Sequence, residues 1–223
     1  MEPVAGSPVL VDLVYQRLLA AIIDCSLPPG RRIVQAELAD QLGVSRAPVS
    51  HALMVLKHQG LLREAGRKGL EVAPIEPLRL RNLYHVRAAL DGLGARTAAE
   101  RVAAGGMPAA DLAMLHDIYK RGTRLGDEAS ITAHVQADTD FHRAIYEISG
   151  NAAIDETLES LWPHLQRSMV FVLEAHASRE QAWQEHRDIL AAIEAGQPDQ
   201  ASQRAFDHAD KAGRYTEERL RQG

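Results

Sequence analysis

The 223-residue chain has a single cysteine, Cys25. That excludes an internal disulfide framework and a cysteine-rich zinc site, and it suits a reducing compartment. Aromatic residues are only 4% of the chain, and beyond residue 77 no segment alternates as a strand does, which leaves helix as the organising element there. No apolar run reaches the roughly 18 residues needed to span a bilayer, and no basic-then-apolar leader opens the chain. The expectation is a cytoplasmic protein with no membrane partner. Positive charge is also in short supply. There are 25 basic against 30 acidic residues, a net charge of −5, which taken alone argues against nucleic acid as a partner. What is present, 46% hydrophobic and 25% charged residues, is ordinary for a folded chain, and the length allows one large domain or two small ones.

The charge is not spread evenly. Residues 26–70 carry seven basic side chains (Arg31, Arg32, Arg46, Lys57, Arg63, Arg67, Lys68) against three acidic ones (Glu37, Asp40, Glu64). Residues 77–223 carry 17 basic and 22 acidic, so the acidity lies almost wholly in the second part. A basic patch neutralises phosphates even when the whole chain is acidic. The asymmetry changes across Ala73-Pro74-Ile75-Glu76-Pro77, where two prolines disfavour helix and read as a stiff linker. The expected organisation is a loose tail over 1–8, a first domain over 9–73, a linker over 74–77 and a second domain over 78–223.

In the first domain Leu10, Val14, Leu18, Ala21 and Ile22 recur at helical spacing, and Leu27-Pro28-Pro29-Gly30 stops that helix. Val34, Leu38 and Leu42 mark a short second helix ended by Gly43. Ser45 is placed to cap a third, which buries Val49, Ala52, Leu53 and Leu56 and stops at Gly60. Two short apolar segments follow, 61–64 and 70–73, joined by the basic turn Ala65-Gly66-Arg67-Lys68-Gly69, a hairpin signal. Helix, helix, turn, helix and basic hairpin is the pattern of a winged helix-turn-helix, whose third helix enters a major groove while Arg67 and Lys68 meet phosphates or the minor groove. The pattern alone leaves open a small helical domain with a solvated basic hairpin.

The residues go further. Leu27-Pro28-Pro29-Gly30 followed by RRIVQAELADQLGVSRAPVSHALMVLKHQGLL over 31–62 resembles the DNA-binding domain of the GntR family of bacterial transcription regulators. The resemblance implies that Arg46 reads DNA at the start of the recognition helix, beside Ser45. It implies that Arg31 or Arg32 meets the backbone and that the wing tip through Gly69 enters the minor groove. One position departs from the family pattern. A second Arg is usual four residues after the first, and here Ser50 stands there, followed by His51, so base preference at that position rests on these two.

The second domain reads as an all-helical bundle of about six helices. Its breaks fall at 105–108, 126–127, 150–151, 176–178 and 196–198, and Pro163 is expected to kink a continuous helix. The fold class is therefore mainly α, a winged helix-turn-helix followed by a helical bundle. Four polar residues lie on apolar stripes. Asp138 and His142, one turn apart, share a face with Val135 and Ile145. His186 lies with Leu190 and Ile193, and His208 with Ala201 and Ala205. Buried, such groups must be paired or bind metal. One carboxylate and three imidazoles form a reasonable first shell for Zn²⁺, Ni²⁺ or Mn²⁺. From spacing alone, a set of hydrogen-bonded core residues stands beside that reading.

ADTDFHRAIYEISGN over 137–151 resembles the characteristic segment of the FCD effector domain found in the FadR-type branch of the GntR family. The stretches around His186 and His208 resemble it too, and the two likenesses together run from about Leu10 to Arg219. The resemblance implies a divalent metal held by Asp138, His142, His186 and His208, a small organic acid as effector and a homodimer on a palindromic DNA operator. Arg87, on the stripe of the first bundle helix, is the candidate carboxylate clamp, with a salt bridge to Asp91 as its structural alternative. His134, one turn before Asp138, and Arg167, after Pro163, are further candidates for the effector pocket. The function expected is a ligand-responsive transcription regulator, a repressor by family habit. The alternative is a hydrolase-like enzyme that uses the Asp/His centre to activate water.

Overall fold

The computed structural model describes residues 8–66, 69–173 and 176–222. Residues 1–7 of the expected tail and the wing-tip residues Arg67 and Lys68 lie outside the described residues, while Pro8, placed in the tail by the sequence, opens the first helix. The chain forms two compact units, 1–75 and 76–223.

In the first unit α1 (Pro8–Ile23) is followed by β1 (Arg32–Ile33), α2 (Gln35–Leu42), α3 (Arg46–His58), β2 (Leu62–Ala65) and β3 (Gly69–Val72). The strands form one antiparallel sheet in the order β1-β3-β2, with Leu62 opposite Val72 and Arg32 opposite Glu71. The two-residue β1 was not legible in the sequence, because so short a segment shows no period and is recruited by its partner β3. The core holds Val14, Leu18 and Ile22 of α1, Leu38 of α2 and Val49, Leu53 and Leu56 of α3. These are the apolar positions that recur at helical spacing, so burial of one stripe per helix assembles the unit. Gly43 makes the turn between α2 and α3. It sits at φ 65°, and the Gly43 and Val44 amides donate to the Asp40 and Ala39 carbonyls at 3.2 and 3.0 Å. A residue with a Cβ is strained there. Ser45 precedes α3 as its N-cap residue, but its side chain makes no capping hydrogen bond, contrary to the sequence expectation.

The second unit contains α4 (Pro77–Ala103), α5 (Ala109–Thr123), α6 (Ile131–Ser149), α7 (Ala152–Glu159), α8 (Trp162–Leu173), α9 (His176–Glu194) and α10 (Pro198–Gln222). Among the described residues this is seven helices rather than about six. The difference lies at Pro163. A continuous, kinked helix is not what forms. The chain breaks between α7 and α8, and Pro163 sits in the first turn of α8, where its missing N–H costs nothing. Ala95, Ala98, Leu115, Phe141, Ile145, Ile189, Ile193 and Ala205 form the main core, drawn from α4, α5, α6, α9 and α10. Ser130 caps α6 by accepting the Ala133 amide at 3.2 Å, which fixes where the polar residues of that helix begin.

Candidate metal centre and nucleic-acid face

Asp138 and His142 occupy successive turns on the buried face of α6, His186 comes from α9 and His208 from α10. A ligand atom from each lies within 4.8 Å of all the others. His186 Nε2 is 3.2 Å from His208 Nε2 and 3.4 Å from Asp138 Oδ1, and His142 Nε2 is 3.7 Å from Asp138 Oδ2. None of the four is more than 7% exposed. Two ligands each about 2.1 Å from a common ion stand about 3.0–3.4 Å apart at octahedral or tetrahedral angles, so a slight contraction of the cluster suits one ion.

The donor chemistry supports the same conclusion. The Nδ1 of His208 is 2.8 Å from Glu185 Oε2, and that of His142 is 3.3 Å from Asp91 Oδ2. A carboxylate that accepts the Nδ1–H, as Glu185 does from His208, leaves Nε2 a lone pair, and Asp91 stands beside the same nitrogen of His142. Those lone pairs point at one another and at the Asp138 carboxylate. His142 Nε2 and Asp138 Oδ2 have no hydrogen-bond partner. Buried acceptors left without a donor are satisfied by a cation. Burial, assisted by the Arg87 guanidinium and the neighbouring imidazoles, pushes His142 well below the ordinary histidine range. Burial, His208 and Arg87 do the same to His186. Both rings are thus held neutral, the form that ligates metal. Burial raises Asp138 against the pull of Arg87, so its carboxylate gains from a cation beside it.

Arg87, on α4, is 1% exposed. Its Nε lies 3.3 Å from Asp91 Oδ2, its Nη2 lies 3.9 Å from Asp138 Oδ2, and the guanidinium covers the Trp162 ring at 5.0 Å. Burial works against its charge, but Asp91, Tyr146 and Asp138 outweigh it and push the pKa further up. Tyr146 in turn donates its hydroxyl to Asp91 Oδ1. A cavity of about 150 Å³ opens against this cluster, lined among others by Arg87, Asp138 and His208. Arg87 therefore makes its salt bridge and also faces the cavity. The other two effector candidates do not. His134 is buried but lines a separate cavity of about 400 Å³ with Arg179 and Trp183, and burial and Arg179 lower its pKa. Arg167 is 2% exposed on α8 and is among the described lining residues of neither cavity.

In the first unit Arg31, Arg32, Ser45, Arg46 and His51 are exposed. Arg46 and His51 stand on α3, whose opposite face is buried. Ser50 is half-buried, so of the pair that replaces the usual second Arg, His51 is the more available. Gly69 has a structural duty. A Cβ there would come within 2.7 Å of the Ala65 carbonyl oxygen, so the hairpin itself demands glycine. Arg67 and Lys68 lie outside the described residues.

Residues 82–211 match the FCD domain, and residues 10–72 match the domain described as bacterial regulatory proteins, gntR family. The chain is a GntR-family transcription regulator with an FCD domain. This FCD regulator is 29% identical over 185 residues to the probable D-xylose utilization operon transcriptional repressor of Paenarthrobacter nicotinovorans, spanning 82% of this chain and 77% of that one. It is 25% identical over 186 residues to the Escherichia coli regulator McbR, spanning 82% of this chain and 80% of that one. A solved structure of E. coli McbR superposes on 97% of this chain and 100% of its own with a TM-score of 0.74, at 21% identity. The fold is shared. The hydrolase alternative falls, because the FCD regulator belongs to a family of transcription regulators rather than of enzymes. Among its described residues no helix is long and apolar enough to cross a membrane.

Two site residues of the FCD regulator escaped the sequence reading. Asp91 reads in the sequence only as a partner for Arg87, one turn away, yet its Oδ2 also stands 3.3 Å from His142 Nδ1. Glu185 was not singled out, and it holds both His208 and Lys211, at 2.8 and 2.5 Å. Burial alone would raise Glu185, but those two bonds outweigh it and bring its pKa down to about 2. Its position beside His186 is a weak signal, since the bond it makes is to the other helix.

Proposed function

We propose that this FCD regulator is a ligand-responsive repressor, a cytoplasmic homodimer that binds a palindromic DNA operator and senses a small organic acid at a metal-containing pocket. The observation that carries this reading is the buried cluster of Asp138, His142, His186 and His208, with Asp138 Oδ2 and His142 Nε2 left without a hydrogen-bond partner, opening onto a cavity that also holds Arg87. Those four residues would hold Zn²⁺, Ni²⁺ or Mn²⁺. A bound ion would supply a Lewis-acidic position for a carboxylate oxygen. Glu185 keeps the His208 ring in the ligating tautomer, and Asp91 is placed to do the same for His142. Arg87 offers guanidinium N–H groups to a carboxylate in a pocket where burial strengthens the pair.

In the first unit Arg46 and His51 read base edges from α3, with Ser45 and Ser50 beside them. Arg31, Arg32, Arg67 and Lys68 contact phosphates or the minor groove, and Gly69 shapes the wing. The homodimer is supported by α4, which leaves Leu78, Val86 and Leu93 exposed on one face, an apolar stripe that suits a second copy. The relative named as a repressor supports repression. Acid binding would bias the helical unit between two arrangements and so alter operator affinity.

The test is a thermal-shift screen of small organic acids with and without a chelator, followed by operator binding. An acid that stabilises only the metal-loaded protein, and that changes operator affinity, is the expected result. Stabilisation that survives chelation would sink the metal pocket.

A further inference from the structure

The cavity against Asp138 and His208 brings buried charged groups together with an apolar wall. The buried groups are Arg87, Asp138 and His208. Met169 and Leu173 of α8, Ala182 of α9 and Ala212 of α10 form walls with no hydrogen-bonding side chain, joined by Tyr84 and Tyr215. Tyr84 is fully buried, and its hydroxyl is already engaged by Ser168 at 3.3 Å. The remaining polar groups are Ser178, Gln181, Glu185 and Lys211. The last two are spent on each other, with Lys211 Nζ 2.5 Å from Glu185 Oε1.

Three classes of acid meet this cavity differently. A sugar acid brings several hydroxyls, and beyond Ser178, Gln181 and Tyr215 the walls of Met169, Leu173, Ala182 and Ala212 give them nothing to bond, so those set against these walls lose their water without replacement. A dicarboxylate brings a second charge to a Lys–Glu pair that is already neutral overall. An apolar body fits the walls of Met169, Leu173, Ala182 and Ala212, and a cavity of about 150 Å³ has room for a benzene ring.

We propose that the effector is a monocarboxylic acid with a compact apolar body about the size of one benzene ring, its carboxylate at the Arg87 end and its body against Met169, Leu173, Ala182 and Ala212. This rests on the reading of the cavity as the effector site.

The test is calorimetric titration of the full-length protein, reconstituted with Zn²⁺, with acetate, benzoate, succinate and gluconate. Benzoate is expected to bind about tenfold or more tighter than acetate, because the ring adds buried apolar area. Succinate and gluconate are expected to gain nothing over acetate. Ala212→Leu and Ala182→Leu each fill part of the cavity, and each should shrink the benzoate-to-acetate ratio, with metal content measured alongside to show an intact centre. Succinate or gluconate as the tightest ligand, or benzoate no tighter than acetate, overturns the apolar-body assignment while the acid site stands. No binding of any of the four by the metal-loaded protein overturns the acid site itself, and the proposal with it.

Discussion

The two units of this regulator put their working side chains in opposite places. In the first, Arg31, Arg32, Arg46 and His51 are exposed, and the fold is held by Val49, Leu53 and Leu56 on the other face of the same helix. In the second, Arg87, Asp138, His142 and His186 are none of them more than 5% exposed and sit in the core. A reader of phosphate and base edges must present its charges to solvent, so its function and its stability are written on different residues. On the proposed reading the second unit strips water from a small charged ligand and so buries its charges, which makes function and stability share residues. The contrast can be broken or sharpened by substitution.

The largest effect is expected at Arg87. Arg87→Ala leaves Asp91 and Asp138 buried without their cation, which should cost about 3–5 kcal/mol of unfolding free energy. Adding Asp91→Asn removes one of the stranded charges, so the double variant should lose less than the two single losses added together. Urea denaturation of the four proteins measures this cycle. A loss under about 1 kcal/mol in Arg87→Ala would mean that the buried network is not part of what holds the second unit together.

Next comes the metal. With the ion at about a hundredfold excess over its dissociation constant, stripping it should cost about 2.7 kcal/mol. His142→Ala with His186→Ala should abolish stoichiometric metal and also the response of the melting temperature to chelator. If wild-type protein melts at the same temperature with and without chelator, and no metal co-purifies, the four residues are hydrogen-bonded core and the two units differ less than described.

How much of this was legible follows the same divide. Apolar stripes at helical spacing located α1, α2 and α3, and glycine and proline breaks located most of the bundle helices, because those signals are local. Asp138 and His142 announced themselves as polar residues on a buried stripe. Glu185 did not, since its partner His208 comes from α10 and only packing brings them together. His134 looked like a neighbour of Asp138, yet it lines a different cavity, because one turn along a helix also carries a side chain partly around it. Pro163 was readable as a disruption, but whether it kinks a helix or opens one depends on the chain before it. β1 exists only because β3 offers it a partner.

Arg46→Ala should separate the two properties that Arg87→Ala joins. Loss of the expected base contact should cost about 1–3 kcal/mol of operator affinity per half-site and relax specificity there. Stability should stay within about 0.5 kcal/mol of wild type, since the side chain is exposed and bears none of the packing. Fluorescence anisotropy on an operator duplex and urea denaturation give both numbers. Normal operator binding by this variant would overturn the assignment of α3 as the recognition helix.

The smallest effect is expected at Glu64, which pairs with Lys57 at 2.6 Å with both side chains largely exposed. Lys57 holds Glu64 below its usual carboxylate range, chiefly through their hydrogen bond, but water and salt screen such a pair and the fold does not depend on it. Glu64→Gln should therefore leave the denaturation midpoint where it is. It does free Lys57 and add one unit of positive charge to the DNA-binding unit. Affinity for any duplex should rise slightly at low salt and return to the wild-type value as salt is raised. Titrations at several salt concentrations check this. A change in melting temperature with no change in salt dependence would show that even this surface charge is structural, and the division of labour between the two units would not hold at its outermost residue.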